Sequence, residues 1–338
     1  MKRFLFLIVV LCAMAAITAV LFFASSFSFS SATLPIGDIQ PIQTPAPSPS
    51  PPARFTLLFA GDIMLDRGVE YKLKQNGADW KFPFLLIADE LRKADMVFAN
   101  LESQISDKGY NVGSIYSFRA DPASLEGLVF AGIDVVSVTN NHSFDYTKAA
   151  FSDSLLRLQA ADIAYTGGGQ NIAEAREPVI KDIQGTRIGF LAYSSFGGAS
   201  WQATQNQSGI LFMDENNLDQ LQIDIQRAKQ KADILVVSIH AGNEYQKYPT
   251  AFQQEFGRKA IDAGADLVIG HHPHVTQPLE QYKNGWIAYS LGNFIFDQAF
   301  SAETMQGAIL QVTLLDKQIT QVELRQTKLN ENYQVYFP

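Results

Sequence analysis

The five histidines among these 338 residues fall in three short stretches, and each stretch follows a run of β-branched and apolar residues. The runs are Asp134-Val-Val-Ser-Val-Thr-Asn-Asn-His142, Ile234-Leu-Val-Val-Ser-Ile-His240 and Asp266-Leu-Val-Ile-Gly-His-His-Pro-His274. Neutral imidazole ligates zinc, manganese and iron, and a His-x-His spacing brings two rings to one ion. The cluster His271, His272 and His274 would fill an apolar core badly, because every buried ring needs polar partners. Two more strand-like runs, 55–62 and 96–102, end in Asp62 and in Asn100-Leu-Glu102. The ligand candidates are Asp62, Glu102, Asn141, His142, His240, His272 and His274. Asn141 offers an amide oxygen to a metal or an NH₂ group to a phosphate. Asp145, three residues after His142, suits a hydrogen bond to an imidazole or the cap of the next helix.

Something must carry these five ends to one place. Short apolar runs alternate with helical patterns, the signature of a sheet covered by helices, and in open α/β sheets ligands bind beyond the carboxyl ends of the strands. Leu218, Leu221, Ile225, Ala228 and Ala232 recur at helical spacing within 214–232. A second helix is expected from Pro249 to Ala263, closed by Gly264, and a third over 149–161. The stretches 308–315 and 319–326 alternate and are joined by Asp316-Lys317-Gln318, which reads as a closing β-hairpin. The glycine-rich stretch 194–209, with one Trp at 201, reads as a surface connection or a loop that covers substrate.

Composition removes several classes of function. Net charge is -8 and no Lys/Arg run occurs, which argues against a nucleic-acid partner. The single cysteine, Cys12, lies in the apolar N-terminal segment, so cysteine catalysis and disulfides are excluded from the rest of the chain. Gly167-Gly-Gly169 lacks a following Lys-Ser/Thr and reads as a turn, and no Gly-x-Ser-x-Gly elbow is present.

Lys2 and Arg3 precede an apolar run from Phe4 to Ala24, interrupted by Thr18 alone. At 1.5 Å per residue such a run spans roughly 30 Å of hydrocarbon, and the two cations place its start in the cytoplasm. It exceeds the roughly 7–15 apolar residues of a cleavable signal, so an uncleaved single-pass anchor over 1–24 is expected. Residues 25–53 are rich in Pro, Ser, Thr and Ala and read as an extended stalk. A folded domain over 54–338 would then stand outside the cell membrane.

Taken in order, Gly61-Asp62-Ile-Met-Leu, Asn100-Leu-Glu102, Asn140-Asn-His142-Ser-Phe-Asp145, His240-Ala-Gly-Asn-Glu244-Tyr, Gly270-His-His-Pro-His274 and Tyr289-Ser-Leu-Gly-Asn293-Phe-Ile-Phe resemble the CapA family. That family belongs to poly-γ-glutamate capsule synthesis and is related to calcineurin-like metallophosphoesterases. The resemblance implies a four-layer α/β/β/α sandwich, a metal site at the strand ends and an N-terminal membrane anchor. The wider metallophosphoesterase pattern opens Asp-x-His, whereas Met64 stands at that histidine's position, and a thioether is a poor ligand for hard divalent ions. Glu102 replaces the usual bridging aspartate, and Ala241 stands where such sequences often carry Trp.

The expected function is a membrane-anchored, extracytoplasmic protein acting in synthesis, export or anchoring of an anionic polymer such as poly-γ-glutamate, with membrane-bound synthase subunits as further partners. Asp62, Glu102, Asn141, His240, His272 and His274 are expected to hold one or two divalent ions, manganese, zinc or iron. His142 is the acid/base candidate, oriented by Asp145. Arg67, Arg119 and Asn293 are expected to contact substrate. A secreted phosphoesterase for nucleotide or lipid phosphates, and a non-catalytic polymer-binding scaffold with a vestigial site, are the alternatives.

Overall fold

The computed structural model describes residues 54–338. The expected anchor and stalk, 1–24 and 25–53, lie outside the described residues. Among the described residues no helix is long and apolar enough to cross a membrane.

The chain is an α/β fold of two large sheets. Strands β1 (Arg54–Ile63), β2 (Met96–Leu101), β3 (Val135–Ser137) and β4 (Ala164–Thr166) run parallel, side by side, in the first sheet. The second sheet takes β5 (Val179–Ile183), β6 (Thr186–Ser194), β7 (Ile234–His240), β8 (Leu267–His271), β9 (Leu279–Tyr282) and β10 (Gly285–Ala288), in the order β9-β10-β8-β7-β6-β5. The chain then returns to the first sheet. There β11 (Asn293–Ile295) pairs parallel with β1, and β12 (Gln306–Leu315), β13 (Gln318–Leu329) and β14 (Val335–Tyr336) extend the edge beyond β1. The closing hairpin expected from alternation is β12 and β13, antiparallel and joined at Asp316-Lys317.

Strand periodicity explains the layering. Phe55, Leu57 and Phe59 of β1 point to one face and pack with Phe190, Ile234, Val236 and Ile269 of the second sheet. Phe98 of β2 stacks on Phe190 of β6 with ring centroids 5.7 Å apart. Each such buried ring contributes about 1.5–3 kcal/mol relative to exposure. The alternate residues, Leu58 and Ala60 of β1 and Val97 and Ala99 of β2, face a second apolar cluster that includes Leu128, Phe151 and Leu155. Leu128 belongs to a helix Leu125–Ala131, and the other two to a helix Thr147–Ala160. On the second sheet, Leu235, Val237 and Ile239 pack against Leu221, Ile225, Phe256 and Ala260. These come from helices Leu218–Lys229 and Ala251–Ala263. Helices therefore cover both outer faces, and the strands read as continuous apolar runs because both sides are buried.

Three helix starts differ from expectation. The helix expected from Pro249 begins at Ala251, because Thr250 takes the N-cap and forms a capping box with Gln253. Its end is as expected, with Gly264 left-handed at φ 118°. The helix expected over 214–232 is shorter, Leu218–Lys229. Asn217 Oδ1 accepts from the Asp214 N–H at 2.7 Å and Asp214 Oδ1 from the Asn216 N–H at 2.9 Å, so side chains capture the backbone donors as a turn instead. The helix expected over 149–161 runs Thr147–Ala160.

Candidate metal centre

Asp62 lies at the end of β1, in register with Asn100 of β2 on one side and Asn293 of β11 on the other. The strands approach so closely that a Cβ on Gly61 would sit 1.9 Å from the Gly292 carbonyl oxygen. After β3, residues 138–143 fold into a tight turn in which Ser143 Oγ donates to the Val138 carbonyl and accepts the Asn140 N–H, both at 2.9 Å. This turn presents Asn141 and His142. His240 and His271 end β7 and β8 in register with each other. Beyond them His272-Pro273-His274 turns sharply, with His272 at φ 99° and His274 at φ 58°. Left-handed backbone at two non-glycine residues is strain of the kind that concentrates at functional sites.

The carboxyl ends of both sheets meet at these side chains. Asn100 Nδ2 donates to Asp62 Oδ1 at 2.8 Å and to Glu102 Oε2 at 3.2 Å, and lies 3.3 Å from His240 Nδ1. His240 Nε2 lies 2.8 Å from Asn141 Oδ1, and the His240 and His272 rings are 4.9 Å apart. His274 places Nδ1 3.4 Å from Asp62 Oδ2 and Nε2 3.7 Å from Glu102 Oε1. His142 Nε2 is 3.8 Å from the same Glu102 oxygen, while its Nδ1 lies 2.7 Å from Asp145 Oδ2.

Apart from the half-buried Asn141, these side chains are buried. Asp62 and Glu102 are fully inaccessible, and Glu102 Oε1 and His272 Nδ1 are sequestered without a hydrogen-bond partner. Burial drives the Asp62 carboxyl up, but His271 and His274 beside it outweigh that and hold it well below the usual carboxylate range. Glu102 goes the other way: burial, reinforced by the Asp62 and Glu244 carboxylates, raises it well above its usual value. Burial and the neighbouring His272 push His240 well down, and burial and His274 push His272 down to about 3. Near neutral pH both imidazoles therefore hold free lone pairs. Two groups bring one donor atom per residue within 4.8 Å of one another, Asp62 with Glu102 and His240, and Glu244 with His272 and His274. Unpaired carboxylate and imidazole atoms converging in a site that is buried except at the exposed Glu244 fit one or two divalent cations.

Six expected ligands, Asp62, Glu102, Asn141, His240, His272 and His274, thus lie in one cluster with His142 and Asp145 at its edge. The expected substrate contacts separate. Arg67 lines a pocket of about 180 Å³ together with Tyr116, Phe118, His142, His274 and Asp297. Its guanidinium is held by Asp297 and lies 4.7 Å from the Phe118 ring centroid. Arg119 does not line that pocket. Its Nη1 donates to the Lys108 carbonyl at 2.9 Å and its guanidinium sits over Tyr146. Asn293 stands beside the cluster: its oxygen lies 3.0 Å from His274 Nδ1 and its NH₂ donates to Gln298 and to the Thr304 carbonyl, so it positions an imidazole.

Asn100 and Glu244 belong to the cluster and were not named as ligand candidates from the sequence; His271, singled out there with His272 and His274, lies in it as well. His271 Nδ1 lies 3.3 Å from Asp62 Oδ1. Asn100 and Glu244 stand inside recurring motifs, which is the signal that marks them. In the 194–209 loop, Phe196 covers the imidazoles, with its ring 4.2 Å from that of His272 and 5.9 Å from that of His240. Met64 is buried in the apolar cluster, where its sulfur accepts the Asp66 N–H at 3.1 Å.

Residues 56–298 match the family described as bacterial capsule synthesis protein PGA_cap. The chain belongs to that family. It is 33% identical over 271 residues to the capsule biosynthesis protein CapA of Bacillus anthracis, an alignment covering 78% of this chain and 64% of that protein. It is also 33% identical over 259 residues to the PGA biosynthesis protein CapA of Bacillus subtilis, covering 76% and 67%. The chain thus spans about two thirds of the length of these relatives. A crystal structure of a hypothetical protein from Thermus thermophilus shares the fold at TM-score 0.51 and 16% identity, covering 81% of this chain and 99% of that one. The clustered residues from Asp62 to Asn293 all fall within the span that matches the family.

Proposed function

We propose that this chain is a metal-dependent hydrolase or transferase of metallophosphoesterase type, with that superfamily's α/β/β/α arrangement. It acts at the cell envelope in synthesis, export or attachment of an anionic polyamide such as poly-γ-glutamate. The observation that carries the proposal is the buried convergence of Asp62, Glu102, Asn141, His240, His272 and His274, with a carboxylate oxygen and an imidazole nitrogen left unpaired. The names of the two Bacillus relatives supply the polymer and the process.

These six residues and Glu244 would hold the divalent ions, which would supply Lewis-acid activation of the group under attack. The rest is work for the chain's own side chains. Asp145 fixes His142 so that Nε2 faces the cluster and can give or take a proton at the reacting atoms. Phe196 excludes water from the imidazoles. Arg67, clamped by Asp297, offers a cation at the pocket wall for an anionic group. The anchor expected over 1–24 would hold the site at the membrane, within reach of a polymer and of membrane-bound synthase subunits.

Elemental analysis of the purified full-length chain tests the proposal. About one or two manganese, zinc or iron ions per chain, lost in a His272→Ala/His274→Ala variant, is the expected result. An ion-free wild type, as well folded as the variant, would overturn it in favour of a scaffold. A second reading, phosphoester cleavage, is favoured by the orientation of His142 toward the cluster, which suits protonation of an alkoxide leaving group. Phosphate release from a generic ester distinguishes it.

A further inference from the structure

A second, larger cleft lies apart from the metal centre. It has a volume of about 610 Å³ and is walled by Arg176, Tyr193, Gln202, Leu211, Gln220 and Asp224 among others, with none of the clustered ligands. Asp224 is only 3% exposed, an uncommon place for a carboxylate. Its Oδ1 accepts from Gln220 Nε2 at 2.9 Å, but Oδ2 has only long contacts, 3.4 Å to the Tyr193 hydroxyl and 3.7 Å to Arg176 Nε. Arg176 Nε is itself buried without a hydrogen-bond partner. A carboxylate and a guanidinium thus face one cleft, near each other but not closed into a hydrogen-bonded pair.

Opposite charges presented this way match a ligand carrying an ammonium and a carboxylate on one carbon. We infer that this cleft binds the zwitterionic head of an α-amino acid, with the ammonium on Asp224 and the carboxylate on Arg176. Burial raises the Asp224 carboxyl against the lowering influence of Arg176, and an incoming ammonium would add a directly hydrogen-bonded cation where Arg176 Nε stands 3.7 Å away. The amide side chains of Gln202 and Gln220 add neutral donors and acceptors around the head, and Leu211 an apolar wall.

Two sources share this head. One is a free amino acid. The other is the amino terminus of a glutamyl chain linked through side-chain carboxyls, whose first residue keeps both its α-amino and its α-carboxyl group free; this second source rests on the polymer reading above. The cleft has room beyond a single head group, since pockets of about 300–1,000 Å³ accept drug-sized ligands. The 194–209 loop joins the two sites. Its Phe196 lies against His272, and its Gln202 lines the cleft.

The test is calorimetric titration of the full-length protein with D- and L-glutamate, a γ-linked glutamyl tripeptide and the N-acetyl form of that tripeptide. Saturable binding of an unblocked ligand is expected, weakened at least ~10-fold by N-acetylation and by Asp224→Asn or Arg176→Gln. It should be unchanged in His272→Ala/His274→Ala, which separates this cleft from the metal centre. Binding of free glutamate as tightly as the tripeptide assigns the cleft to a monomer, and binding of the tripeptide alone assigns it to the polymer end. Equal binding of the acetylated and free tripeptides, or no binding at millimolar concentration, would overturn the inference. The acetylation comparison uses wild-type protein, so it decides the matter even if Asp224→Asn fails to fold.

Discussion

Asp145 Oδ2 holds two partners at once, His142 Nδ1 at 2.7 Å and the Phe118 N–H at 2.8 Å. The second bond fixes the carboxylate, and the carboxylate fixes the ring, whose face also packs on Phe118 at 3.9 Å between centroids. The imidazole therefore enters the site with its Nε2 edge already aimed at Glu102.

Asp145→Asn tests whether that orientation matters for proton transfer. An amide in place of the carboxylate offers His142 Nδ1 no stable negative partner and allows the other tautomer. Turnover should fall by about 10²–10⁴-fold while metal content stays unchanged. Turnover measured beside elemental analysis decides it, and equal loss of metal would assign Asp145 to the fold of the site instead.

Glu102→Gln should have opposite effects with and without metal. In the ion-free protein Glu102 is a buried carboxyl beside the Asp62 carboxylate, so a neutral amide of the same shape relieves repulsion and desolvation. The melting temperature of the ion-free variant should rise by about 2–4 °C per kcal/mol gained. Metal affinity should drop by at least ~10–100-fold, because the amide is a weaker donor than the carboxylate. Thermal melts with and without chelator check both halves.

Metal binding should release protons in a pH window set by Glu102. Its folded-state value lies above 4.5, so the ion-free protein keeps this proton at pH values where a free carboxylate has lost it. Binding an ion requires the ionised form and expels the proton, so affinity falls as pH falls. His272, lowered to about 3, is already neutral there and releases nothing. For stability of the ion-free fold the two groups act oppositely. Glu102 contributes stability below 4.5 that is lost as pH rises through its folded value, whereas His272 costs stability as pH falls from 6.5 toward 3. Calorimetry near pH 5–6 in two buffers of different ionisation enthalpy reads the proton count, which Glu102→Gln should reduce.

Much of the site could be read from strand ends. Asp62, His240 and His272 follow apolar runs directly, and parallel strands bring such ends together whatever loops lie between. What stayed hidden depends on register and on side-chain competition. Asn100 matters because β2 pairs with β1 so that it faces Asp62, a relationship no local pattern encodes. Arg67 and Arg119 look alike in the sequence, and only the fold gives one to Asp297 and the other to the Lys108 carbonyl. Asn293 reads as an exposed polar motif residue but is buried behind His274. The late start of the helix at Leu218 reflects Asp214 and Asn217 capturing backbone donors, which periodicity of apolar residues does not record.

Gly61→Ala should damage the site from behind. At Gly61 a Cβ would stand 1.9 Å from the Gly292 carbonyl oxygen, and backbone on both sides leaves nothing flexible to give way. The Asp62 N–H donates to that same carbonyl at 3.0 Å, so pushing β1 from the segment before β11 breaks a hydrogen bond and moves Asp62 away from Asn293. Strain of this kind, with a buried donor left unpaired, costs roughly 3 kcal/mol or more. A fall of at least ~6 °C in melting temperature is expected. Metal content should fall as well, because Asp62 carries the displacement directly into the cluster. A variant with wild-type stability and metal content would mean that the two strands are less tightly apposed than their 1.9 Å clearance implies.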